Sequence, residues 1–223
     1  MKIAAYTASR NLYADMIPAV NSLLQHSDVD KVYFLIEDDV FPYDLSEKIE
    51  VINISDQKYF PKDSINYKNR FTYMVLIRAA FAKIFPQYDK ILSLDVDTIV
   101  DKDISDIWNL PIDDYYLSAA LEPYCSKGGK FEKMDKYYNI GVALYNLKKL
   151  RDGKVDEVIE SLNTVPYDFL EQDCFNKLCE GHILDMSSDY NACNWTTPTG
   201  NPRIVHYAGI KNWSNEPLVQ KYR

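Results

Sequence analysis

Basic residues are the minority in this chain, 25 Lys and Arg against 33 Asp and Glu, and the net charge is −8. A nucleic-acid binder shows a basic face or stripe, so that class is disfavoured. An anionic small substrate would need local positive charge or a metal. Cysteine is also scarce. Cys125, Cys174, Cys179 and Cys193 form no C-x-x-C pair, and the start Met1-Lys2-Ile3-Ala4-Ala5-Tyr6 breaks into Thr, Ser, Arg and Asn too soon for a signal peptide. Free thiols in a reducing cytosol are therefore expected, and with them a cytoplasmic location. No apolar run approaches the ~20 residues that cross a bilayer. Residues 6–13 contain no glycine, where a nucleotidyltransferase would carry a Gly-rich phosphate loop. Repeats, low-complexity tracts and Gly/Ser linkers are missing too.

What is present fits one α/β domain: 223 residues, 47% apolar and 26% charged. The 18 tyrosines suit sugar- or base-stacking surfaces, but Tyr is equally a half-buried filler. Ile3–Thr7 reads as a strand and Tyr13–His26 as a helix with Ile17, Val20, Leu23 and Leu24 on one face. Val32–Ile36 is a buried-type strand that ends in Glu37-Asp38-Asp39, and Ile49–Ile54 is another. A helical pattern over Phe71–Phe85 stops at Pro86, and strand Ile91–Leu94 runs into Asp95. Such alternation predicts a mostly parallel sheet flanked by helices. Further on, Tyr116–Leu121 and Ile140–Tyr145 read as strands, Val155–Leu162 and Phe169–Leu178 as helices. Ser187–Asn201 is polar and turn-forming, as a binding loop would be.

Asp95-Val96-Asp97 sits at a strand end, where open α/β sheets bind ligands. Alternate residues of an extended chain point the same way, so both carboxylates can meet one cation while Val96 faces inward. Two Asp at a strand end can also simply cap a turn. Three downstream segments add weight. Tyr138-Asn139-Ile140-Gly141-Val142 places a Gly in a strand, which suggests close approach. Glu171-Gln172-Asp173 opens a helix, and acids enriched in a first turn account for Glu171 and Asp173 but not for Gln172. In His206-Tyr207-Ala208-Gly209-Ile210-Lys211-Asn212-Trp213 an imidazole follows a short strand, with a Gly for backbone approach and a Lys within reach of a phosphate. His26 ends a helix and His182 follows a Gly, both ordinary surface settings.

Taken in order, these segments, with Arg78, Leu94-Asp95-Val96-Asp97-Thr98, Gln172-Asp173, Tyr190-Asn191 and the H-x-x-G-x-K-x-W ending, resemble the family-eight retaining glycosyltransferases. That group includes glycogenin, galactinol synthase and bacterial lipo-oligosaccharide galactosyltransferases. The resemblance implies a single-domain GT-A (nucleotide-diphospho-sugar transferase) fold, with a nucleotide-binding half at about 1–100 and an acceptor- and sugar-binding half at about 101–223. It implies retaining transfer of a hexose, glucose or galactose, from a UDP-sugar to a sugar, glycan or protein acceptor. It also implies Mn²⁺, or Mg²⁺, on Asp95, Asp97 and His206, ligand types that Mn²⁺ accepts. Gly209 and Lys211 would hold the diphosphate and Arg78 would pair with the D-x-D region or the donor. Thr7, Ala8 and Tyr13 would meet the uracil and ribose. Asn139, Glu171, Gln172 and Asp173 would face the donor sugar, Gln172 nearest the anomeric carbon.

Departures from the family pattern are informative. Glu171 stands where relatives commonly have Asp, one methylene shorter, which implies a change in the accepted sugar. The usual K-P-W reads Lys211-Asn212-Trp213, which implies a less rigid loop. Ala8-Ser9-Arg10 lacks the acid that often contacts the nucleobase. Acceptor selection is expected around Cys125–Asp135 and Ser187–Asn201. Two other functions stay open at this point. Asp95-Val96-Asp97-Thr98-Ile99-Val100 fits the D-x-D-x-T motif of haloacid-dehalogenase-type phosphatases, with Asp185 and Asp189 as late Mg²⁺ ligands. That motif belongs on a first strand, however, and it gives His206 and Gln172 no role. A non-catalytic nucleotide-sugar-binding module would use the same metal ligands.

Overall fold

The computed structural model of the protein describes residues 1–69, 71–123 and 134–223. Its elements are β1 (Ile3–Thr7), α1 (Tyr13–Gln25), β2 (Lys31–Ile36), β3 (Ile49–Asn53), α2 (Phe81–Ile84), β4 (Lys90–Leu94), β5 (Thr98–Val100), β6 (Leu117–Leu121), β7 (Tyr138–Asn146), α3 (Leu147–Leu150), α4 (Lys154–Thr164), α5 (Leu170–Leu178), β8 (Ile183–Met186), β9 (Ile204–His206) and α6 (Pro217–Gln220). Seven strands form one sheet in the order β3-β2-β1-β4-β7-β6-β8. Only β7 runs against the others. The expected mostly parallel α/β sheet is what the chain builds.

Sheet burial explains the sequence pattern. The apolar residues of β1 alternate between faces: Ile3 and Ala5 join Phe81, Val158, Leu162 and Phe175 on one side, while Ala4 and Tyr6 join Met16, Ala19 and Leu23 of α1 on the other. All nine residues of β7 are buried, as befits a strand covered on both faces.

The helical pattern before Pro86 takes an unexpected form. Tyr73–Ala80 winds as a 3₁₀ helix and only Phe81–Ile84 is α-helical. Aromatic and β-branched Tyr73, Val75 and Ile77 form helix poorly, so docking of Met74, Leu76, Ile77 and Ala80 on the core sets the winding. β8 is an edge strand that its four residues gave no periodicity to reveal.

Two irregularities position the functional groups. First, β5 and β9 form a separate two-stranded antiparallel pair with Thr98 opposite His206. Tyr207 N–H donates to Asp97 O (2.9 Å), and Thr98 Oγ1 donates to Asp95 O (2.6 Å). Second, the β6–β7 register jumps: Ala119 faces Ala143 but Ala120 faces Asn139. The extra residues of β7, at 140–142, bulge beside the end of β4. Bulges of this kind re-aim groups near sites.

The chain order also marks a crevice. From β1 the sheet grows through β2 and β3 on one side and through β4 on the other, so a topological switch lies between the carboxyl ends of β1 and β4. Asp95 follows directly on β4.

Candidate active site

Asp95, Asp97 and His206 offer three ligand atoms that all lie within 4.8 Å of one another, the one such acidic, His or Cys cluster among the described residues. His206 Nε2 lies 3.6 Å from Asp95 Oδ2 and 3.3 Å from Asp97 Oδ1. The far side of the imidazole is held by Asn191, whose Oδ1 is 2.8 Å from Nδ1. The Asn191 amide is itself oriented, because Nδ2 donates to Asn139 Oδ1 (2.9 Å) and Asn139 O (3.2 Å). Asn191 Oδ1 can then only accept, Nδ1 carries the proton, and Nε2 is aimed at the carboxylates. A carbonyl behind a metal-binding His is the usual device for fixing its tautomer.

Charge coupling is strong here. Burial works against protonation of His206, yet the Asp97 charge and hydrogen bond lift the imidazole well above its ordinary value. Burial alone would raise Asp97, but His206 holds it below the usual carboxylate range. Asp95 moves upward, through burial and its Asp97 neighbour.

Behind this cluster sits Arg78, only 5% exposed. Its Nη1 donates to Asp95 Oδ1 (2.7 Å) and, at 3.4 Å, to Ile140 O, while Nη2 donates to Glu171 Oε1. A guanidinium fork can serve two carboxylates at once, which an ammonium cannot do in fixed geometry. Burial pushes the Glu171 carboxyl up to about 7, against the pull of Arg78. Perturbed acids of this kind cluster at functional sites.

The bulge supplies the remaining polar wall. Asp95 N–H donates to Gly141 O (2.7 Å). Gly141 N–H donates to Asn139 Oδ1 (3.0 Å), and Ile140 N–H to Gln172 Oε1 (3.1 Å). Gln172 lies in the first turn of α5, entered through Leu170 at φ 47, a conformation a branched residue adopts only under constraint. These groups line a cleft of about 600 Å³ that contains Arg78, Asp95, Asp97, Asn139, Glu171, Gln172, His206 and Gly209.

Other expected residues lie elsewhere. Val96 packs against the core. Asp173 turns away from the cleft: it accepts from Tyr137 Oη (2.6 Å) and from the N–H groups of Asp168 (3.1 Å) and Phe169 (2.9 Å). Thr7 ends β1 and Ala8 follows it, with Ala8 N–H donating to Leu35 O (3.2 Å). Tyr13 lines a separate shallow depression with Arg10, Asp38, Asp39, Val40 and Pro42. Its hydroxyl donates to Asp38 Oδ2 and accepts from Glu37 N–H, both at 3.0 Å. Lys211 is exposed on the turn after Gly209. Asp185 pairs with Lys136 and Tyr138, and Asp189 with Thr199, so neither joins Asp95.

The sequence reading missed Glu122, Phe71 and Phe169, all on the cleft wall. Glu122 was findable: it directly follows β6, which runs parallel to β4, so it stands at the same sheet edge as Asp95. Asn191 was noticed only as part of a pattern; its grip on His206 depends on β9. Of the expected acceptor-selecting stretches, 125–133 lies outside the described residues. In the other, Asn191 is fully buried and Trp195 is exposed.

Asn212 adopts φ 57, a left-handed conformation that Asn tolerates and Pro, locked near −65°, cannot reach. A Pro at this position would therefore require a different turn. Asn212→Pro should lower stability by more than about 1 kcal/mol while Asn212→Gly stays close to wild type, as read from urea unfolding midpoints.

No helix among the described residues is long and apolar enough to cross a membrane. Among known proteins, the chain is 28% identical over 161 residues to a putative glycosyltransferase of Haemophilus influenzae, a match covering 67% of this chain and 46% of that protein. It is 26% identical over 245 residues to glycosyltransferase GlyA of Streptococcus pneumoniae, covering 100% of this chain and 34% of the other. It therefore spans less than half the length of either relative. The crystal structure of the galactosyltransferase LgtC with donor and acceptor sugar analogs superposes with a TM-score of 0.75 at 19% identity, covering 100% of this chain and 94% of that one. The two share the GT-A fold. The sequence pattern of glycosyl transferase family 8 runs through residues 5–216, nearly the whole chain, and the chain belongs to that family.

Proposed function

We propose that this protein transfers a hexose, glucose or galactose, from a UDP-sugar to an acceptor with retention at the anomeric carbon, using Mn²⁺ or Mg²⁺. The observation that carries the reading is the convergence of Asp95, Asp97 and His206 on the cleft that also holds Asn139, Glu171 and Gln172. Two carboxylate oxygens and one neutral imidazole nitrogen suit a hard-to-borderline divalent cation, and they leave room for phosphate oxygens. When bound, the metal supplies Lewis acidity to the departing diphosphate.

The chain's own residues do the rest. Arg78 aims Asp95 and opposes the upward push that burial exerts on its carboxyl. The turn at Gly209 and Lys211 faces the diphosphate. Thr7 and Ala8, at the carboxyl end of β1, and Tyr13, in the separate depression with Asp38 and Asp39, take the nucleoside. Asn139, Glu171 and Gln172 contact the sugar, and Asp173 supports that wall from behind. The two relatives of similar sequence are named as a putative glycosyltransferase and a glycosyltransferase, which favours transfer over phosphatase chemistry.

Thermal unfolding with UDP and Mn²⁺ tests this reading. A ligand present at 100 times its Kd stabilises the folded state by about 2.7 kcal/mol. Wild type should show an upward Tm shift with the pair that is absent with EDTA. Asp97→Asn and His206→Ala should lose most of it, together with hydrolysis of UDP-glucose or UDP-galactose. An unchanged Mn²⁺-dependent shift in His206→Ala would remove that residue from the metal site.

A further inference from the structure

We infer that Tyr137, a fully buried residue outside the cleft, is a positioning residue that sets the plane of the Gln172 amide for the transfer step. The inference rests on the proposed role of Gln172 at the donor sugar.

Donor and acceptor roles leave one solution for this network. Ile140 N–H can only donate, so the Gln172 atom 3.1 Å from it is Oε1. Gln172 Nε2 therefore faces Tyr137 Oη, at 3.0 Å, and must donate to it. Tyr137 has a single hydroxyl proton, which goes to Asp173 Oδ1 at 2.6 Å. Asp173 is in turn immobilised, because its Oδ2 accepts from the backbone N–H groups of Asp168 and Phe169. A directional chain thus runs from the N-terminal turn of α5 through Asp173 and Tyr137 to the Gln172 side chain.

Both ends of the Gln172 amide are pinned, one by the β7 bulge and one by Tyr137. Gln172 itself is half-buried and on the cleft wall, so one N–H and one oxygen lone pair remain for a bound sugar. Tyr137 is 0% exposed and does not line the cleft. Its hydroxyl acts through Gln172, and a phenyl ring would fill the same core volume. Asp173, which the sequence placed at the sugar, belongs to the same chain of bonds.

Tyr137→Phe tests this with two independent readouts. With Mn²⁺ and UDP-glucose or UDP-galactose, kcat should fall by about 10- to 100-fold, the scale of a small misplacement at a reacting centre, while UDP affinity stays within about twofold. In a Gln172→Ala background the Tyr137→Phe change should have no further effect on kcat, because it acts through a side chain that is gone. Additive losses would overturn the inference, as would equal losses in kcat and UDP affinity.

The second readout does not need turnover. The Gln172 side-chain NH₂ should give resolved, exchange-protected NMR resonances in the wild type that collapse or lose protection in Tyr137→Phe. Unchanged resonances overturn the inference. Wild type that shows the protected amide but hydrolyses neither UDP-sugar would instead count against the proposed function. Should Tyr137→Phe fail to fold, Asp173→Asn, which alters the same chain one bond further back, takes both measurements with the same expected losses.

Discussion

Gly141→Ala is expected to cut Mn²⁺-dependent turnover by at least about 10- to 100-fold, although Gly141 has no side chain to offer as a ligand. A Cβ at this position would lie 2.2 Å from His206 Cε1 and 2.8 Å from both His206 Nδ1 and Asp95 Oδ2. Distances under about 3 Å are not tolerated by carbon, so something must move. The backbone of β7 is held by β4, with Leu94 opposite Val142 and Asp95 N–H on Gly141 O. The obstructing atoms are the imidazole and carboxylate of the proposed metal site, and these give way more readily than the sheet. His206 would be pushed off Asn191, losing both its tautomer and its aim.

Overpacking of this kind destabilises by about 1–3 kcal/mol. Disturbing the groups that orient a metal ligand weakens metal binding or activity by about 10- to 100-fold, and here two ligands move together, so turnover should drop at least that far. Calorimetric titration with Mn²⁺ in the presence of UDP, beside the steady-state assay, reads both effects. Retention of activity within about threefold would show that the ligands are not where the packing puts them.

Arg78→Met should be the most destabilising single change at the site. Arg78 lies between two carboxylates, Asp95 and Glu171, and is nearly inaccessible to water, as Glu171 is. Removing one partner of a buried ion pair leaves uncompensated charge and costs about 3–5 kcal/mol. In a chain of this size that corresponds to a fall in Tm of roughly 10 °C. Arg78→Lys should recover little, because a single ammonium cannot fork to both acids. The direction of rescue separates charge from shape. Adding Glu171→Gln to Arg78→Met removes the stranded carboxylate and should return part of the stability, though not the activity. A loss below about 1 kcal/mol in Arg78→Met would mean that Glu171 and Asp95 are already neutral or solvated.

The expected strand–helix alternation of the first hundred residues matches the structure closely, because a parallel sheet buried on both faces writes itself as short apolar runs such as Val32–Ile36 and Ile91–Leu94. The exceptions fall where a local pattern is too short or is overridden. β5 and β8 are three and four residues long, below any periodicity. Tyr73–Ala80 took a 3₁₀ form because packing, not propensity, set it. At the site, Asp95, Asp97, Gly141, Gln172 and His206 stood out in the chain because their types are unusual at strand ends or helix starts. Glu171 and Asp173 looked equivalent to each other but are not. Gln172, between them, lines the cleft with Glu171, whereas helical rotation turns Asp173 to the buried network behind Gln172.

Asp95-Val96-Asp97 by itself determined little beyond two carboxylates on one side of a strand end, since the extended backbone repeats every two residues. With the downstream His206-Tyr207-Ala208-Gly209-Ile210-Lys211-Asn212-Trp213, the sequence determined the family and named the candidate ligands. Tertiary structure alone decided that these become one centre. The β5–β9 register puts Thr98 opposite His206 and so brings an imidazole from more than a hundred residues away against both aspartates. The β7 bulge leaves a position where only glycine's missing side chain makes room for them. Pairing register and steric clearance are relations between distant segments, and no local pattern of residues encodes them.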